Sequence, residues 1–170
     1  YLSLASLTNA HLAEFMDLDE TEGPVALIDL GHKFTSVTVI KDVTVAAART
    51  VSRGGHQLTL ALMKGMNLDY GQAEALKHSG IRFDGYLPPG VDQAEHAARA
   101  RHVAKALEPF LREIRVTLHA QEEQLGEQVA KVVVFGGSAR LPGLVDLVGR
   151  VLDRPALSPV LVGPLWSEMA

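Results

Sequence analysis

Between residues 132 and 144 an apolar run, Val132-Val133-Val134-Phe135, gives way to Gly136-Gly137-Ser138-Ala139-Arg140-Leu141 and then to Pro142-Gly143-Leu144. Four uncharged residues in a row suit a strand buried on both faces, as in a parallel sheet. The glycine pair lets the backbone turn sharply and approach a flat or charged group closely. Pro142 is expected at the first position of a helix, with Leu144, Leu147, Val148 and Val151 on its apolar face. A strand, a glycine pair and a helix start is the order in which open α/β sheets bind ligands, although a tight turn with no ligand looks the same.

Upstream, residues 25–30, 34–40 and 43–51 are strand-like, the last two joined at Lys41-Asp42 as a short hairpin, which predicts an antiparallel meander. After Gly54-Gly55, Leu58, Leu62 and Met66 mark one face of a helix. A second short helix is expected over 70–77, bracketed by Gly71 and Gly80, and Pro88-Pro89-Gly90 marks 81–90 as a loop. From Asp92 a long helical pattern places Ala104, Leu107, Leu111, Ile114, Leu118 and Leu125 on one seam, with Pro109 expected to bend or split it. The seam is too short of repeats for a free coiled coil and reads as core packing. Residues 1–15 read as a helix entered partway, 17–24 as an acidic loop, and 156–162 as a last strand, giving the order β-β-β-α-α-α-β-α-β.

At 170 residues, 47% of them hydrophobic, the chain has material for a real core. Sixteen Lys and Arg against twenty Asp and Glu give a net charge of -4, which offers nucleic acid no bulk attraction. Cysteine is absent, so neither disulfides nor thiolate metal sites can form. No apolar stretch is long enough to span a bilayer, which leads us to expect a cytoplasmic protein without direct membrane insertion. The seven histidines include no H-E-x-x-H pattern, and neither a G-x-S-x-G elbow nor a Walker lysine loop occurs.

Chemistry is more legible in Asp29-Leu30-Gly31-His32-Lys33-Phe34-Thr35. Asp29 falls near a strand end, where burial of its charge is costly unless a cation, water or donors satisfy it. Gly31 permits close backbone approach, and exposed loop amides hold phosphate oxygens. Magnesium keeps several waters and leans on one or two carboxylates plus phosphates, so a single placed Asp suffices. Taken alone, D-x-G is a weak signal that an ordinary hairpin also gives. Likewise Ala73-Glu74-Ala75-Leu76-Lys77 places Glu74 and Lys77 three apart on one helical face, a spacing common in surface salt bridges.

As an ordered set these stretches resemble the actin, sugar kinase and heat-shock chaperone ATPases. The resemblance implies a mixed five-stranded sheet of the actin/ribonuclease-H-like type, with flanking helices and a helical insertion over about 54–91. It implies ATP as ligand with Mg2+ held through water by Asp29, and Gly31, Lys33 and Thr35 by the phosphates. It places Glu74 and Lys77 at the ribose and base edge, Gly136, Gly137 and Ser138 against sugar and base, and the guanidinium of Arg140 flat on adenine. Within that superfamily, Arg53-Gly54-Gly55-His56-Gln57-Leu58-Thr59, then the Glu74 stretch, then Arg112 to Leu118, is most similar to the PilM proteins of type IV pilus assembly. GspL of type II secretion and FtsA of cell division come next. Gly54 and Gly55 join the expected nucleotide-binding set on this basis.

That family implies an assembly platform on the cytoplasmic face of the bacterial inner membrane, with pilus or secretion platform proteins as partners and self-association through the apolar residues of 1–15. A GspL-like scaffold without nucleotide and an FtsA-like ATPase are the alternatives. The chain departs from the actins, chaperones and FtsA in carrying His32 and Lys33 where they usually keep glycine. Residues 24–170 resemble a second lobe and residues 1–23 a connection from a first lobe whose phosphate loop is not in this sequence. Half a cleft is expected to bind ATP weakly and not to turn it over, and no catalytic residue is expected.

Overall fold

The computed structural model describes residues 23–42 and 44–159. The expected helix over 1–15, most of the loop over 17–24 and the end of the last predicted strand lie outside the described residues. Five strands, β1 (Val25–Leu30), β2 (Thr35–Lys41), β3 (Thr44–Val51), β4 (Lys131–Phe135) and β5 (Ala156–Leu157), form one mixed sheet in the order β3-β2-β1-β4-β5. The meander β1-β2-β3 is antiparallel, with the turn at Lys41-Asp42 and a register shift between Val39 and Ile40. The remaining strands extend it in parallel, with Val25 opposite Lys131 and Asp29 opposite Phe135.

Helices α1 (Gly55–Met66), α2 (Tyr70–Gly80) and α3 (Gln93–Leu125) lie between β3 and β4, and α4 (Leu144–Leu152) lies between β4 and β5. This is the α/β fold of the actin/ribonuclease-H-like type. Ala26, Ile28, Leu30, Val37, Val39, Val132 and Val134 share one face of the sheet and build the main core with Leu58, Leu62, Leu107, Ile114, Leu144 and Val148 from the helices. On the opposite face Val25, Leu27, Ile40 and Val133 form a second cluster, with Phe135 packed against it. Two buried faces explain why β1 and β4 read as nearly continuous apolar runs, interrupted only by Asp29 and Lys131 near their ends.

The caps follow local chemistry. Asp69 Oδ1 accepts the Gln72 N–H at 2.8 Å while Gln72 Oε1 accepts the Asp69 N–H at 3.0 Å, closing a capping box at the start of α2. Asp92 caps α3 through the Glu95 N–H at 2.8 Å, and Gly126 ends it with φ 67. Helix α3 runs unbroken through Pro109, which sits at an exposed position; the hydrogen bond to the carbonyl four residues back is forgone there, and the buried seam on either side keeps the helix continuous. Its buried seam begins at Val103 rather than Ala104, which is exposed, because 103, 107, 110, 114 and 117 keep the helical period. Helix α2 continues past Lys77 to Gly80.

Pro142 does not open a helix. The chain after the glycine pair winds into a short 3-10 turn (Gly137–Arg140), and the Pro142 carbonyl accepts the Phe83 N–H at 2.7 Å. Gly143, at φ 76, then reverses the backbone and α4 begins at Leu144. A side chain at Gly143 would run into the backbone of Phe83 and Asp84, so the loop after α2 rests on this turn.

Candidate functional site

Parallel pairing of β1 and β4 brings the turns after Leu30 and Phe135 to one edge of the sheet. There Gly136 adopts φ 94, and a Cβ on it would meet Asp29 Oδ1 and lie 2.8 Å from the Leu30 carbonyl oxygen. The two turns thus touch backbone to backbone, which only glycine permits at that position. Asp29 lies half-buried at the junction, and burial raises its carboxyl above the ordinary carboxylate range. The favourable compensation for such a group is a cation or hydrogen-bond donors.

Helix α1 begins directly under the first turn. Its Gly55 N–H donates to the Gly31 carbonyl at 2.9 Å and its His56 N–H to the His32 carbonyl at 2.8 Å. The Gly54 N–H donates to Gln57 Oε1 at 2.8 Å. A Cβ on Gly54 would approach the Gly31 and His32 carbonyl oxygens to 2.5 and 2.7 Å, and one on Gly55 would collide with Ser138 Oγ. Gly54 and Gly55 are therefore framework: their amides are used by the protein, and their bareness lets three segments meet. Thr35 is also inside, fully buried, its hydroxyl donating to the Arg53 carbonyl at 2.9 Å so that β2 holds the approach to α1.

Between this framework and α2 opens a cavity of about 150 Å³ lined by His32, Glu74, Lys77, His78, Gly137, Ser138, Arg140 and Leu141. Five of the residues singled out in the sequence, Glu74, Lys77, Gly137, Ser138 and Arg140, converge there from two distant stretches. Asp29, Gly31 and Gly136 stand behind it at the strand ends, and Lys33 is exposed in the turn beside His32, not among the lining residues. His32, His78 and Leu141 line the cavity without having been singled out for it. The signal for His78 was present in its spacing, four residues after Glu74, whose Oε2 lies 3.3 Å from its Nε2. The His32 ring leans on that of His56, centroids 5.2 Å apart.

Lys77 and Glu74 are not a surface pair. The Lys77 side chain is 6% exposed and its ammonium donates to Glu74 Oε1 at 2.7 Å, Thr59 Oγ1 at 2.9 Å and, more distantly, the Gly55 carbonyl at 3.4 Å. Burial opposes ionisation of Glu74, but hydrogen bonds from Lys77 and Thr59 and the charges of Lys77 and His78 outweigh it and bring the carboxyl down to about 2. Glu74 thus presents a fixed negative charge to one wall of the cavity. Arg140, exposed on the 3-10 turn, supplies a planar cation to another. Carboxylate, guanidinium and bare glycine backbone together suit a ligand with hydroxyls and a flat π system. Among the described residues no group of three or more His, Asp or Glu converges as a metal cage.

Comparison with known proteins agrees with this fold. The family model described as type IV pilus assembly protein PilM matches residues 4–158. The cell division protein FtsA of Rhizobium meliloti (strain 1021) is 31% identical over 160 residues, spanning 84% of this chain and 36% of the relative. The chain thus spans about a third of the length of the curated relatives it matches. Among solved structures, a PilM-PilN type IV pilus biogenesis complex superposes with a TM-score of 0.70 at 21% identity, covering 91% of this chain and 40% of that one. MreB 5 of Spiroplasma citri, bound to AMPPNP, superposes with a TM-score of 0.62 at 13% identity, covering 88% and 50%. With a cleft framed by glycines on an actin-like sheet and a family match over most of its length, the chain belongs to the type IV pilus assembly protein PilM family and has an actin-like fold.

Proposed function

We propose that the chain is the second lobe of an actin-like domain, residues 24–170 with 1–23 as its connection to a first lobe, and that its cleft binds ATP. The observation that carries this reading is the single cavity into which Glu74, Ser138 and Arg140 converge beside the Asp29 and Gly136 junction. Adenine lies against Arg140 and Gly137, the ribose faces Glu74, and the phosphates run toward Gly31. Asp29 fits a hydrated Mg2+, being a half-buried carboxylate whose charge burial disfavours and whose Oδ1 borders a residue with no side chain. When bound, that ion supplies positive charge to the phosphates.

The lobe acts as a nucleotide-responsive platform rather than an enzyme in its own right. Its partner is an inner-membrane protein of the PilN kind, the association that the superposed complex has in its own case. No helix among the described residues is long and apolar enough to cross a membrane. On this reading the partner holds the chain at the cytoplasmic face, as its family membership suggests. One observation favours a GspL-like scaffold instead: all three donors of Lys77 are directed inside the protein.

Calorimetry on the full protein separates these readings. Asp29→Ala should remove the magnesium-dependent part of ATP affinity, whereas Arg140→Ala should weaken adenine nucleotides by about 1–2 kcal/mol with or without magnesium. Equal losses from both variants under both conditions would mean that the phosphate and adenine ends are reversed. No binding by the wild type would leave the scaffold.

A further inference from the structure

Thr59 lies on α1, wholly buried, and is absent from the cavity lining. Its hydroxyl nevertheless sits at the meeting point of the cleft's walls. A threonine hydroxyl has one proton and two lone pairs, while an ammonium has three protons and none. Lys77 donates into Thr59 Oγ1 at 2.9 Å, and the Thr59 proton then has two acceptors in reach, Glu74 Oε1 and the Gly55 carbonyl at 3.2 Å. Glu74 Oε1 is the nearer and carries the charge, so the proton points there. Gly55 is in turn the residue whose N–H pins the Gly31 turn and whose missing side chain admits Ser138 Oγ.

We propose that Thr59 is the positioning residue of the nucleotide cleft: its single hydroxyl proton fixes the Glu74 carboxylate that faces the ribose, and the same oxygen orients Lys77 toward the Gly55 hub. The proposal rests on the nucleotide reading given above and deepens it. Without the hydroxyl, Glu74 Oε1 keeps only Lys77, one Lys77 N–H is left in the interior without an acceptor, and the carboxylate is free to swing toward His78. A buried donor stripped of its partner moves until it finds another, and here the alternatives lie in the cleft. Charged and titratable groups facing Glu74 are Lys77 and His78 on α2, with His32 and Arg140 across the cavity.

The test compares Thr59→Val, which keeps the shape and loses the hydroxyl, with Thr59→Ser, which keeps the hydroxyl and loses a methyl. It uses the full protein, measuring MgATP affinity by calorimetry and the Glu74 carboxyl titration by carbon NMR. Thr59→Val should bind MgATP about tenfold more weakly, the scale of one hydrogen bond to a charged group, and Glu74 should titrate at higher pH. Thr59→Ser should restore both readouts. Unchanged affinity and titration in Thr59→Val overturn the assignment while the nucleotide reading stands, and so does a Thr59→Ser as weak as Thr59→Val, since packing rather than the proton would then be at work. Absence of MgATP binding by the wild type overturns the nucleotide reading and this role with it.

Discussion

Adjacent glycines 136 and 137 ought to answer very differently to the same substitution. In Gly136→Ala the new methyl is forced into the left-handed region at φ 94 and placed 2.8 Å from the Leu30 carbonyl oxygen and 2.9 Å from its carbon, with Asp29 Oδ1 also in the way. The backbone conformation alone costs about 1–2 kcal/mol for a residue with a Cβ. Displacing the carbonyl at the end of a strand in a packed sheet adds about 1–3 kcal/mol. The sum, about 2–5 kcal/mol, is a large fraction of the stability of a domain this size. A Cβ on Gly137 meets nothing within 4 Å, and its φ is not in the left-handed region. Gly137→Ala should therefore change stability by less than about 0.5 kcal/mol, while its methyl projects where the nucleotide is proposed to lie. Urea unfolding of both variants, followed by circular dichroism, reads the first effect, and calorimetry with MgATP reads the second. A loss of less than about 1 kcal/mol in Gly136→Ala would refute the claim that contact between the two turns organises this edge of the sheet.

Glu74, held at about 2 against an unfolded value of 4.5, contributes stability that is fully present above about pH 4.5 and is lost as pH falls through its folded value. Lys77→Met should cost about 2 kcal/mol at neutral pH, less than a fully buried pair would lose because Glu74 is partly exposed, and should flatten the acid limb of a stability curve between about pH 2 and 5; an unchanged limb would show that Lys77 does not hold Glu74. At the far end of α3, Glu122 accepts the Val129 N–H and an Arg154 N–H, both at 2.9 Å. Burial opposes its ionisation, but those donors and the Arg154 charge hold its carboxyl below the ordinary range. Glu122→Ala should cost about 2–4 kcal/mol in urea unfolding, since it leaves a buried amide and a guanidinium without their acceptor.

Much of the sheet was legible because its strands are written in the simplest code. Residues 132–135 are apolar throughout, and 25–30 are apolar except for Asp29, since both faces are covered, and the hairpin at Lys41-Asp42 is marked by its own polar break. What escaped was set by contacts between distant segments. Pro142 suits a helix start, yet its carbonyl is taken by Phe83, and the helix waits for Gly143. Proline in the middle of α3 does not end the helix because Leu107, Phe110 and Leu111 hold the chain against the core on either side of it, a fact no local propensity contains. At the site, the fold brings several of the stretches singled out in the sequence together, and the geometry gives some of them other work. Gly54, Gly55 and Thr35 turn inward to build the cleft. Thr59 ended the quoted Arg53–Thr59 stretch but was given no role there, since a buried threonine on an apolar helix face looks like packing until the ammonium that reaches it is seen.

The pairing of β1 with β4 also sets an order of events during synthesis. Strand β1 is among the first described segments to leave the ribosome, and its neighbour Lys131–Phe135 is separated from it by the meander and three helices. Until β4 emerges, one edge of Val25–Leu30 has no partner, and contacts this far apart in sequence close slowly. A nascent chain stalled before residue 131 therefore displays an apolar strand with open hydrogen-bonding groups, the kind of surface that holdase chaperones and aggregates both seize.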